Sequence, residues 1–175
     1  QLENAASRVV DRYLAHFATR DWDVMAEMLT EDVLTDDRRH VVNGGVRRGR
    51  DTEIANVQFI ANAGGVGLTA TPIATRGEHL MLARHGSTVR DWPDAFHNQM
   101  IDVVEINADN LIAAHVMFDL DDIDRAFEEL DARYLVGEAA AHANTWSVVT
   151  KAFAMVNRRE IPPQGRGLVQ DQGDR

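Results

Sequence analysis

The sequence predicts an α+β protein in which helices close over a curved antiparallel sheet, with two extra helices at the C-terminal end. Three observations predict it. Apolar residues recur at three- and four-residue steps through the first third; four extended stretches parted by turn residues follow between 67 and 118; helical spacing then returns. Strands gathered between blocks of helices are the order of an α+β fold, since α/β proteins alternate the two element by element.

Ala6, Val9, Val10, Tyr13, Leu14 and Phe17 share one face of a first helix, Asn4 to Thr19. Asp21 is the N-cap of a short second helix running through Leu29, with Trp22, Met25, Met28 and Leu29 on its buried side. A strand from Val33 to His40 follows, in which Thr35, Asp37 and Arg39 face one way and Asp36, Arg38 and His40 the other. Asn43-Gly44-Gly45 marks a loop, and Arg47-Arg48-Gly49-Arg50 extends it. A third helix spans Asp51 to Ala63 and stops at Gly64-Gly65. The extended stretches are Gly67 to Thr75, His79 to Ser87, Phe96 to Ile106 and Leu111 to Phe118, the last two joined by a hairpin turn at Asn107–Asn110. The loop Arg90–Asp94 interrupts pairing and places Trp92 at a pocket rim. Ile123, Phe127, Leu130 and Tyr134 define a helix ended by Gly137, and a last helix runs from Glu138 to Asn157. Residues 1–160 read as one domain and 161–175 as a flexible tail, because Pro162-Pro163 opens a polar, glycine-bearing stretch.

Composition narrows the partners. Eighteen Lys+Arg against 28 Asp+Glu leave a formal charge of −10, which repels nucleic acid and anionic membranes. Without cysteine there is no disulfide, thiolate nucleophile or Cys-ligated metal, in keeping with a cytoplasmic protein. The seven histidines lack ligand spacing, so neither a metal nor a cofactor is expected. A chain beginning at Gln1 reads as a piece of a longer protein.

Two helices, a strand ending in Asp36-Asp37, a third helix and a run of long strands resemble the nuclear transport factor 2-like superfamily, which includes ketosteroid isomerases, SnoaL-type polyketide cyclases and limonene epoxide hydrolases. The resemblance covers about residues 4 to 120 and implies a cone of helices over a curved sheet. The isomerase pattern matches at Arg12-Tyr13, at Asp36-Asp37 and at Ile101-Asp102-Val103. It implies Asp37 as general base, with Tyr13 and a neutral Asp102 as donors to an enolate oxygen. Arg38 stands where that family often has proline. The epoxide hydrolase pattern loses its acids, with Val116 in His115-Val116-Met117 and Gly86 in Arg84-His85-Gly86 at the acidic positions.

The implied function is a cofactor-free small-molecule enzyme of the isomerase, cyclase or dehydratase kind, moving a proton alpha to a carbonyl. An apolar ligand would lie among Val57, Ile60, Leu82, Arg84, Trp92, Asn98, Met100, Val116 and Phe118. Plainer readings stand beside it. Tyr13 also fits a core position, Asp37 an ion pair with Arg38 or Arg39, and Asp102 an ion pair with Arg84. The alternative function is a ligand-binding or dimerisation module without turnover. Leu111, Ala113 and Met117, on the outward sheet face by alternation, predict a homodimer unless the C-terminal helices cover them.

Overall fold

A computed structural model describes residues 2–40, 42, 44–89 and 98–140, apart from the side chains of Val66, Val89 and Asn98. The predicted Trp92 contact, the side chain of Asn98, most of the last helix and the tail lie outside the described residues.

Helix α1 (Ala5–Thr19) starts at a capping box in which Asn4 accepts from the Ser7 N–H and Ser7 accepts from the Asn4 N–H. The same Asn4 amide donates to the carbonyls of Gly77 and Leu80, which anchors α1 to the sheet end that it crosses. Arg20, with φ of 62°, closes the helix, and its guanidinium stacks on Phe17 and Trp22. Helix α2 (Trp22–Glu27) is capped by Asp21 and is shorter than predicted. Leu29, expected in that helix, is fully buried and opens strand β1 (Leu29–Asp37).

The segment expected as a glycine loop forms a strand, β2 (Gly45–Arg48), paired antiparallel to β1. Helix α3 (Arg50–Asn62) follows as predicted. Strands β3 (Gly65–Arg76), β4 (Leu80–Val89), β5 (Asn98–Ile106) and β6 (Ile112–Phe118) complete a six-stranded sheet of order β2-β1-β6-β5-β4-β3. The sheet is mixed rather than wholly antiparallel, because β1 runs parallel to its neighbour β6. That pairing puts the end of β1 beside β6 and one strand away from β5, with Asp37 next to Met117, about 80 residues further along the chain.

The two sheet faces carry separate cores. On the concave face, α1, α2 and α3 bury Val9, Tyr13, Phe17, Met25 and Val57 against Met81, Ala83 and Val104. On the convex face, helix α4 (Ile123–Val136) lays Ala126, Phe127, Leu130 and Tyr134 on Leu80, Leu82, Ile101, Val103, Val116 and Phe118. Ion pairs pin the edges of α4: Glu129 to Arg38 (2.9 Å), Asp131 to Arg76 (2.7 Å) and Arg133 to Glu105.

This arrangement corrects the predicted faces. Leu82, Val116 and Phe118, expected around a ligand, are sealed under α4 instead. Arg84 has their parity and is exposed, so it does not meet Asp102. Met117 points inward, in register with Asp102 and next to Asp37, while Leu111 precedes β6; the outward apolar surface inferred for a dimer is therefore occupied by α4. Val57 and Ile60 do face the concave core.

Candidate functional site

Strand register brings the interior polar groups together. One row across the concave face reads Arg47, Thr35, His115, Val104, Met81; the next reads Gly45, Asp37, Met117, Asp102, Ala83. Adjacent members of a row are one strand spacing, about 4.8 Å, apart. Asp37 and Asp102 thus lie roughly 10 Å from each other, with His115 from the strand between them and one row away.

Asp37 is 3% exposed and clamped by its neighbour two residues on. Arg39 donates from Nε to Oδ1 at 2.8 Å, from Nη2 to Oδ2 at 2.7 Å and from its backbone N–H to Oδ1 at 3.2 Å. Although burial alone would raise the carboxyl's pKa, these hydrogen bonds together with the charges of Arg39 and Arg47 hold it below the ordinary aspartate value. Gly44 passes directly over this pair: a Cβ there would sit 2.8 Å from Asp37 Oδ2 and 3.0 Å from Arg47 Nη1.

Asp102, 1% exposed, meets two histidines rather than an arginine. His115 Nδ1 lies 3.2 Å and His85 Nε2 3.7 Å from its Oδ2. Burial, the largest influence, opposes the charge on Asp102, but the charge and hydrogen bond of His115, the charge of His85 and the Val116 N–H together hold the carboxyl below its ordinary value. Asp102 in turn raises His115, whereas burial pushes His85 down and leaves it neutral. An ionised carboxylate only accepts, so the His115 proton on Nδ1 faces Asp102 and Nε2 is turned away from it. Asp102 as a neutral donor, the state implied by the isomerase resemblance, runs against the direction in which the two histidines push this carboxyl.

From the helices come Tyr13 on α1 and Glu53 on α3. Tyr13 is 4% exposed, and burial, helped by the charge of Glu53, raises its pKa and keeps the phenol protonated. Glu53 is 7% exposed and accepts from Thr35 Oγ1 at 2.8 Å. Tyr13 Oη, His85 Nε2, His115 Nε2 and Arg47 Nε are all buried with no hydrogen-bond partner among the described residues. Met100 is half-buried in the register position opposite His85.

The structure thus gathers Asp37 and Asp102 on one wall with Tyr13 from the covering helix, and adds His85, His115, Glu53 and Arg47. The histidines were legible in principle: each stands at an inward position of a strand whose partner is Asp102, a parity visible only once the register is known. Val116 and Arg84, matched by sequence to the epoxide hydrolase site, point outward, and the inward residues at those places are His115 and His85. Outside the interior, His40, Asp119 and Asp122 offer ligand atoms within 4.8 Å of one another, but they are already joined to each other and to Arg125. No helix among the described residues is long and apolar enough to cross a membrane.

No family profile and no curated protein matches the chain. Solved structures do. The RV0760c protein of Mycobacterium tuberculosis, in complex with estradiol-17beta-hemisuccinate, superposes with a TM-score of 0.53 at 15% identity, over 68% of this chain and 97% of its own. An LEH-like epoxide hydrolase of M. tuberculosis gives 0.51 at 16% identity, over 75% and 96%. An NTF2-like protein of unknown function from Exiguobacterium gives 0.46 at 17% identity, over 62% and 95%. Element order, the mixed curved sheet and the two M. tuberculosis superpositions agree that the chain has the nuclear transport factor 2-like fold.

Proposed function

We propose that this protein is a small-molecule acid–base enzyme of the isomerase, cyclase or dehydratase kind, which moves a proton alpha to a carbonyl inside the cone. The observation that carries the reading is His115: Nδ1 is held at 3.2 Å by Asp102 while Nε2 is buried and unpartnered. A buried polar atom without a partner costs about 1–3 kcal/mol, and a ligand atom bonded to it would recover that cost. The Tyr13 hydroxyl is in the same condition.

In this reading His115, raised by Asp102, is an imidazolium at rest and donates from Nε2. Tyr13 donates from Oη. Both stabilise a carbonyl oxygen as it gains negative charge, and the interior's low dielectric strengthens them. Asp102 orients His115. Asp37, with both oxygens engaged by Arg39, holds the end of β1 and the loop under Gly44 in place. The apolar ligand lies against Val57, Ile60, Met81, Met100 and Val104, on the concave side.

The test is conversion of a β,γ-unsaturated cyclic ketone to its conjugated isomer, followed by absorbance. His115→Gln is expected to lose about 100-fold or more, the usual contribution of a positioned acid or base. Activity of the wild type is expected to fall as pH rises through the raised His115 pKa, where the donor is lost. Equal rates for wild type and variant would remove His115 from the mechanism, and ligand binding without turnover in both would favour the binding-module reading.

A further inference from the structure

We infer that Glu53 is the general base of this interior site, the group that removes the substrate proton made acidic by His115 and Tyr13. The inference rests on the acid–base reading above and completes it.

Glu53 belongs to the first turn of α3, where an acid is favoured by the helix dipole. That accounts for Asp51, which is exposed two residues earlier, but it gives no reason to bury Glu53. Glutamate is almost never buried without a paired cation, because desolvating the charge is costly. Yet Glu53 makes no ion pair among the described residues: Oε2 accepts from Thr35 Oγ1, and Oε1 has no hydrogen bond.

Its position explains the burial. Thr35 is the direct register partner of His115 across the parallel β1·β6 pair, so the Glu53 carboxylate is held over the strand next to the one that carries His115. The charge of Glu53 reaches both His115 and Tyr13, raising the pKa of each. A carboxylate with one anchored and one unbonded oxygen thus stands on the helical side of the interior, within electrostatic reach of both donors. Asp37 cannot serve as readily, since each of its oxygens is taken by Arg39.

The step balances without a cofactor. The Cα–H bond breaks, its proton passes to Glu53 Oε1, and its electron pair forms the enolate C=C as the carbonyl oxygen takes the charge beside His115 and Tyr13. Returning the proton to another carbon of the enolate gives the isomer.

Two measurements test this. The wild-type protein is treated with phenacyl bromide, an α-halo ketone that esterifies a reactive carboxylate with loss of bromide, and the adduct is mapped by peptide mass spectrometry. An ester on Glu53 that a saturated cyclic ketone suppresses is expected; labelling of Asp37 or His115 with Glu53 unmodified would overturn the assignment, whatever the turnover. The second is α-proton exchange of the ketone in heavy water. Glu53→Gln, which keeps an acceptor for Thr35, is expected to lose about 100-fold, and formate is expected to restore part of the rate in Glu53→Ala. Loss in His115→Gln with retained exchange in a folded Glu53→Gln would overturn the base while leaving the acid–base reading intact.

Discussion

The two faces of one sheet are built to opposite rules. Under α4 the convex face is apolar: its core is aliphatic and aromatic, and its charges stay at the edges in Arg–carboxylate pairs at 2.5–2.9 Å. The concave face buries Tyr13, Asp37, Glu53, His85 and Asp102 among its apolar residues and leaves several of their atoms unbonded. Both faces come from the same strands, often from consecutive residues such as Val116 and His115. The difference teaches that the interior polarity is not a failure to find apolar residues. A chain able to seal one side of each strand has kept the other unsaturated, as sites that await a ligand do.

Substitutions should break this contrast unequally. Phe118→Ala, in the convex core, is expected to cost about 4 kcal/mol in urea unfolding through loss of buried area and the cavity left behind. Asp37→Asn should cost about 3 kcal/mol, because Arg39, itself mostly buried, loses its bidentate partner; a smaller loss would show that the clamp is surface-like.

Asp102→Asn should cost about 1–3 kcal/mol with a pH dependence that Phe118→Ala lacks. The folded pKa of His115 is raised, so its contribution is complete below the unfolded value of 6.5 and is lost as pH rises through the folded value. The folded pKa of Asp102 is lowered, so its contribution is complete above 3.8 and is lost as pH falls through the folded value. The difference between wild type and variant should thus be greatest between these two pH values and shrink on either side. A pH-independent difference would mean that the histidine is not charged in the fold.

Tyr13→Phe is the smallest effect and has the opposite sign. Removing a buried hydroxyl with no partner should leave stability unchanged or raise it by up to about 1 kcal/mol, while the catalytic rate falls. A destabilised phenylalanine variant would show that the hydroxyl is bonded in solution.

Sequence alone shows most of the architecture and only half of the site. The helices around Tyr13 and Val57 and the four long strands follow from plain periodicity. Strand β2 is hidden because Gly45 and two arginines do not look like a strand; it is a short edge that relies on β1. The parallel neighbour of β1 is invisible because its paired residues lie about 80 residues away. The parity errors at Arg84 and Val116 share one cause. Leu80-Met81-Leu82-Ala83 and Val116-Met117-Phe118 are apolar on both faces, since α4 covers one and the cone the other, so alternation carries no signal there. Asp102 is legible as an acid in an apolar strand; its partners His85 and His115 are not, until register pairs β4 and β6 with β5.

The central claim, that proton transfer belongs to the His115 side of the interior and not to the clamped carboxylate at the end of β1, is tested most directly by heavy-water exchange of an enolisable ketone in His115→Gln and Asp37→Asn measured side by side. A loss of about 100-fold or more is expected in the first and a change of no more than a few-fold in the folded second. Full exchange in His115→Gln, with exchange abolished in a folded Asp37→Asn, would contradict it.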